Sequence, residues 1–163
     1  MTESAIGRLF LGFSARVDNC LARLTDEQVW AQGGENENAA GNLVLHVCGN
    51  VHQWVTASIG GEPDARHRDD EFRARGGITS SELRKRLSAA VTRATAVIDG
   101  IRVQRLSDRV VIRGYNVSVL DAIYHVVEHF AMHAGQIIFI TKMLTRTALG
   151  FEHDLQSIAR NRH

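Results

Sequence analysis

Three histidines, His125, His129 and His133, recur every four residues in the C-terminal half of the chain, and a fourth, His46, lies in an earlier apolar segment. At about 100° per residue, helical positions four apart drift by only about 40°, so His129 and His133 project from one face on adjacent turns. Two imidazoles placed in this way can bind one divalent metal ion. His125 lies a further turn back, about 80° from His133, and is a less natural third ligand than a histidine from another helix. His46 is the best candidate for that place: Leu43, Val47 and Val51 carry its helix inward, and it falls near the side of Asn50 and Gln53. Three neutral imidazoles leave at least one coordination position open, which is the mark of a catalytic rather than a structural site. The competing reading of the same residues is a set of hydrogen-bonded core histidines that bind nothing.

Two other metal chemistries are excluded. The H-E-x-x-H pattern needs glutamate directly after the first histidine, but Phe130 stands there and Glu128 precedes it. The di-iron bundle pattern needs Glu three residues before His, but Val126 and Phe130 occupy those positions. Haem ligation stays open in a histidine-rich bundle, although there is no C-x-x-C-H run for covalent attachment. The two cysteines, Cys20 and Cys48, are too few for a disulfide framework and read as free thiols in a reducing cytosol.

The elements that must position the histidines are helical. Ile6, Leu9, Phe10, Phe13, Val17 and Leu21 recur at helical spacing within a first helix from about Ser4 to Leu24. Thr25-Asp26-Glu27 then opens a short turn through Trp30, and Gln32 to Asn38 is a polar loop. A second long helix, about Ala40 to Ile59, carries His46 and ends at Gly60-Gly61. Residues 62–77 form a charged linker, long for a bundle connection. Its arginines, Arg66, Arg68, Arg73 and Arg75, alternate with Asp69, Asp70 and Glu71 and predict a solvated, self-paired surface; beside a metal pocket they could hold a substrate carboxylate. Thr79-Ser80-Ser81-Glu82 caps a third helix that runs to about Asp99. Arg109 to Val119 alternates enough for an extended segment or small hairpin, and a fourth long helix covers about Val119 to Leu144 before a polar tail ends at His163. Gly135, inside that helix, implies tight helix–helix contact or a role at the site, because an interior glycine costs about 1 kcal/mol relative to alanine. Gln136 is placed to orient an imidazole by a hydrogen bond.

At 163 residues with no repeat or domain linker, the chain reads as one domain, 1–163, an all-α four-helix bundle with a long crossover. Its single proline, Pro63, agrees with long uninterrupted helices. Lys plus Arg at 19 against Asp plus Glu at 18 gives no basic footprint for nucleic acid. Charges at Asp121, Glu128 and Lys142 interrupt the most apolar stretch, so no membrane span is expected. The N-terminus shows no secretory signal, and a cytoplasmic protein is expected.

The stretch Glu128-His129-Phe130-Ala131-Met132-His133-Ala134-Gly135-Gln136-Ile137 resembles the last-helix motif of the DinB/YfiT-like superfamily of metal-binding four-helix bundles. In that motif a histidine, three residues, a second histidine, a small or basic residue and then Gly-Gln recur. Asn42 to Asn50 resembles the second-helix segment whose histidine supplies the remaining ligand, and Asp64 to Phe72 is similar to the linker of an uncharacterised bacterial branch. The resemblance spans roughly Ala40 to Leu144. It implies His46, His129 and His133 as ligands of a divalent ion, commonly zinc or nickel, with His125 a neighbour. It also implies a small-molecule substrate, with a low-molecular-weight thiol such as bacillithiol or mycothiol as cosubstrate of a transferase or isomerase, and a homodimer. The alternative it leaves open is a non-catalytic metal-binding stress-response or interaction module.

Overall fold

The structure, a computed structural model, describes residues 5–151. Ser4 of the first expected helix, and the polar tail from residue 152 to His163, lie outside the described residues. Four long helices make the frame: α1 (Ala5–Leu21), α3 (Ala40–Val51), α5 (Ser80–Asp99) and α6 (Val119–Thr145). Each of α1 and α3 packs against both α5 and α6. The apolar stripes meet in one core, where Phe10 and Phe13 close on Phe130 at 5.9 and 5.7 Å between ring centroids.

The helix starts follow the capping chemistry in the sequence. Thr25 and Gln28 exchange hydrogen bonds across the short α2 (Asp26–Val29). Thr79 Oγ1 accepts from Glu82 N to open α5, and Ser118 Oγ accepts from Asp121 N to open α6. Each cap gives a partner to a backbone donor that the helix itself leaves orphaned. Before α6, β1 (Arg109–Ile112) and β2 (Tyr115–Ser118) pair antiparallel, Ile112 opposite Tyr115. Arg113 (φ 53°) and Gly114 (φ 86°) form the two-residue turn, both left-handed as such a turn requires. The hairpin rests on a second small core of Ile59, Ile112, Val119, Ala122 and Ile123.

The second expected helix is not uniform. α3 stops at Val51, and His52–Ala57 continues as a wider π-type turn. There Ser58 N reaches Gln53 O at 3.2 Å, and the Ser58 hydroxyl donates to the same carbonyl at 2.7 Å. Hydrophobic periodicity does not register a widened turn inside a continuous helix, and such turns cluster at functional sites. The linker also differs from the solvated strap its charges predict. It contains α4 (Arg68–Arg73), fastened to α3 by Asn42, whose Nδ2 donates to Glu71 O (2.9 Å) and Ala74 O (2.8 Å). Trp30 Nε1 pins the linker's end by donating to Ile78 O at 2.9 Å. Both cysteines are free. Burial pushes the Cys20 thiol above its ordinary value and the Cys48 thiol up to about 12.

Gly135 does not make the close helix contact expected of it: a Cβ built there meets nothing within 4 Å. Gly135→Ala therefore removes a helix-propensity penalty without a clash. Denaturant unfolding should show the variant more stable by about 1 kcal/mol.

Candidate metal centre

α3 and α6 bring His46, His129 and His133 to one point between them, and each can offer a ligand atom, all within 4.8 Å of one another. His46 Nε2 lies 3.1 Å from His129 Nε2, and His133 Nε2 lies 3.3 Å from the same atom. His46 and His133 are buried, and His129 is half-buried.

The outer nitrogens fix what the inner ones present. Glu71 Oε2 lies 2.9 Å from His46 Nδ1, and a carboxylate can only accept, so Nδ1 carries the proton. The Arg66 Nη2 that also approaches this nitrogen has Glu71 Oε2 (2.9 Å) and His46 O (3.3 Å) as its acceptors. His133 Nδ1 donates to Gln136 Oε1 at 2.6 Å, the orienting contact expected of Gln136. With Nδ1 carrying the outward proton, His46 and His133 each turn Nε2 inward. Burial, with the neighbouring imidazoles and Arg66, pushes His129 down to about 3. Burial also holds His133 below the ordinary histidine range, with Gln136 opposing. Two imidazoles held below their ordinary range in contact with a third favour a cation from outside over protons of their own.

The donor set fits a divalent ion. Zinc–nitrogen bonds of about 2.0–2.1 Å in tetrahedral geometry set ligand nitrogens about 3.3–3.4 Å apart, close to the 3.1 and 3.3 Å found. A shared proton can satisfy one pair of these three nitrogens, whereas a cation accepts all of them. His129 Nδ1 is buried without a hydrogen-bond partner, so this ring draws no orientation from that side.

His125 stands apart from this cluster. Its ring stacks on Trp54 (centroids 4.0 Å) and lies 5.6 Å from that of His129. Among the described residues it is not one of the converging group. Two cavities open on the triad. One, of about 710 Å³, is bordered by His133, Phe72, Met132 and Gln136; the other, of about 490 Å³, by Trp54, Asn50, His125 and Arg113. His46, His129 and Arg68 border both.

Sequence reasoning missed the support behind His46. The Arg66 side chain is only 3% exposed and holds Glu71 through Nε–Oε1 at 2.7 Å. Burial raises the Glu71 carboxyl, but hydrogen bonds from Arg66 and His46 outweigh it and hold the group below its ordinary value. Gly49 was the available signal: a Cβ there would run into Glu71 Oε1 and Arg66 Nε, so an interior glycine leaves room for the pair. Of the linker arginines, Arg66 and Arg73 are paired with linker carboxylates as expected, and at Arg66 the pair is buried.

The frame is that of a DinB-like helical bundle. The chain belongs to the family described as protein of unknown function DUF1572, whose profile matches residues 4–162. A conserved protein from Enterococcus faecalis superposes with TM-score 0.73 at 15% identity, over 87% of this chain and 96% of that one. A DinB-like protein from Bacillus subtilis gives 0.70 at 16%, over 91% and 97%. A mycothiol-dependent maleylpyruvate isomerase gives 0.61 at 14%, over 84% of this chain but 61% of that longer one. At these identities the likeness establishes the fold, which is the four-helix bundle expected. No curated protein matches the sequence. No helix among the described residues is long and apolar enough to cross a membrane.

Glu71→Ala leaves Arg66 buried without its carboxylate. Chemical denaturation should register a loss of about 3 kcal/mol, with Glu71→Gln, which keeps an acceptor, losing less.

Proposed function

We propose that the protein is a metal-dependent enzyme acting on a small molecule, with His46, His129 and His133 holding one divalent ion. The observation that carries this reading is the convergence of three imidazole nitrogens beneath two open cavities. Zinc or nickel suits an all-imidazole donor set. An ion with an open position there supplies Lewis acidity, lowering the pKa of a bound thiol or water.

The chain's own groups do the positioning. Glu71 and Gln136 hold two rings with Nε2 turned inward, and Phe72 packs on His46 at 4.6 Å between ring centroids. The carboxylates at the cavity rims are engaged, Asp69 with Arg73 and Asp121 with Ser118. None is left as an obvious general base, which favours a thiol, needing only loss of its own proton, over hydrolysis. The proposed cosubstrate is a low-molecular-weight thiol. The isomerase of similar fold is mycothiol-dependent by its own description, and this is support by fold analogy. The reading extends to a single cytoplasmic domain over residues 1–163 that pairs as a homodimer; Met132, Phe139 and Met143, exposed along α6, offer apolar surface for pairing.

Elemental analysis of tag-free protein should find about one equivalent of metal, lost in His129→Ala/His133→Ala. Absence of metal in the wild type, even after incubation with zinc, nickel and manganese, would remove the enzyme reading. The metal-loaded protein should accelerate S-conjugation of an aryl halide by glutathione, mycothiol or bacillithiol. Background rates with all three thiols would sink the transferase form of the proposal. Glu71→Gln should weaken metal affinity by about 10- to 100-fold in chelator competition.

A further inference from the structure

Two guanidinium groups at the smaller cavity lack a carboxylate. Among the linker arginines, Arg66 is bound to Glu71, Arg73 sits 3.8 Å from Asp69 and 3.6 Å from Asp70, and Arg75 donates to backbone carbonyls. Arg68 has no anionic partner among the described residues; its guanidinium lies 4.9 Å over the Phe72 ring. Arg113, across the same cavity, has none either.

Arg113 also breaks a local rule. It holds a left-handed conformation (φ 53°) at the first turn position, directly before Gly114. Asn, Asp or Gly is strongly preferred there, because a larger side chain is strained at positive φ. A cation at a strained position on the rim of a cavity points to use rather than to folding. Deeper in, Asn50 is only 4% exposed, its Oδ1 has no hydrogen-bond partner, and it lines the cavity. Trp54, stacked on His125, gives the cavity a flat wall. The one rim carboxylate, Asp121, is turned to Ser118, which donates to it through Oγ at 2.6 Å and N at 3.2 Å. With Arg66 neutralised by Glu71, two guanidiniums face one engaged carboxylate, and the cavity is net positive.

We propose that this cavity is an anion subsite, in which Arg68 and Arg113 hold the carboxylate of a small organic acid beside the histidine triad. Guanidinium forks match planar carboxylates, which gives orientation as well as attraction. Turnover of that acid rests on the metal-dependent reading above; its capture does not.

The test is calorimetric titration of as-purified and EDTA-treated protein with succinate, neutral succinamide and inorganic phosphate at constant ionic strength. Arg68→Gln and Arg113→Asn are the variants. The second creates the preferred Asn-Gly turn, so its hairpin is retained or strengthened, and a thermal melt verifies this. Succinate is expected to bind and succinamide not, with each variant weakening succinate by about tenfold. Equal binding by the double variant, or no succinate binding above succinamide in the wild type, overturns the proposal. Tighter binding of phosphate than of succinate overturns the carboxylate assignment. Succinate binding that needs the metal but neither arginine also overturns it. Arginine-dependent binding in EDTA-treated protein upholds the subsite even where the metal analysis above comes out empty.

Discussion

A guanidinium nearly out of contact with water must be surrounded by acceptors, and Arg66 sets that requirement for the whole site. It finds Glu71 through two nitrogens, Gln53 Oε1 at 3.0 Å and the carbonyl of His46. Meeting these contacts folds the linker back over α3 and brings Glu71 onto His46 Nδ1. The imidazole is thereby fixed in one tautomer by a segment outside the helix that carries it. Asn42 holds the α4 backbone in place, and the bare Gly49 backbone leaves the space. A buried ion pair gives little net stability, but losing one partner strands the other at high cost. The long crossover is therefore structural.

The frame was legible because its signals are local. Apolar residues at helical spacing, Thr79 as a cap, and alternation between Arg109 and Ser118 each state their own element; the Ser118 cap of α6 was not read. The histidine triad was legible for a related reason: His129 and His133 share a face by spacing alone, and His46 sits on an inward-turned helix. The rest depends on through-space pairing. Nothing at position 66 or 71 distinguishes that arginine and glutamate from their charged neighbours until the linker folds. The π turn at His52–Ala57 and the open space at Gly135 likewise depend on how neighbouring turns meet.

The three imidazoles are supported unequally. His46 rests on a charged network and His133 on a neutral amide, while the outer nitrogen of His129 has no partner and only packing, with His125 and Trp54 extending the ring stack behind it. This asymmetry follows from topology: two rings come from one continuous helix, whose 3.6-residue repeat sets their separation, while the third must be aimed from across the bundle. Relatives at 15–16% identity keep the same frame.

The two cysteines bear on how such a protein withstands reactive compounds. Both thiols are held protonated by their surroundings, Cys48 up to about 12, and the thiolate is the form that alkylating agents and peroxides attack. Near neutrality the two cysteines offer almost no thiolate to lose. An electrophile entering the 710 Å³ cavity meets imidazole, guanidinium, aromatic carbon and the Met132 thioether, so attack at cysteine is suppressed by burial.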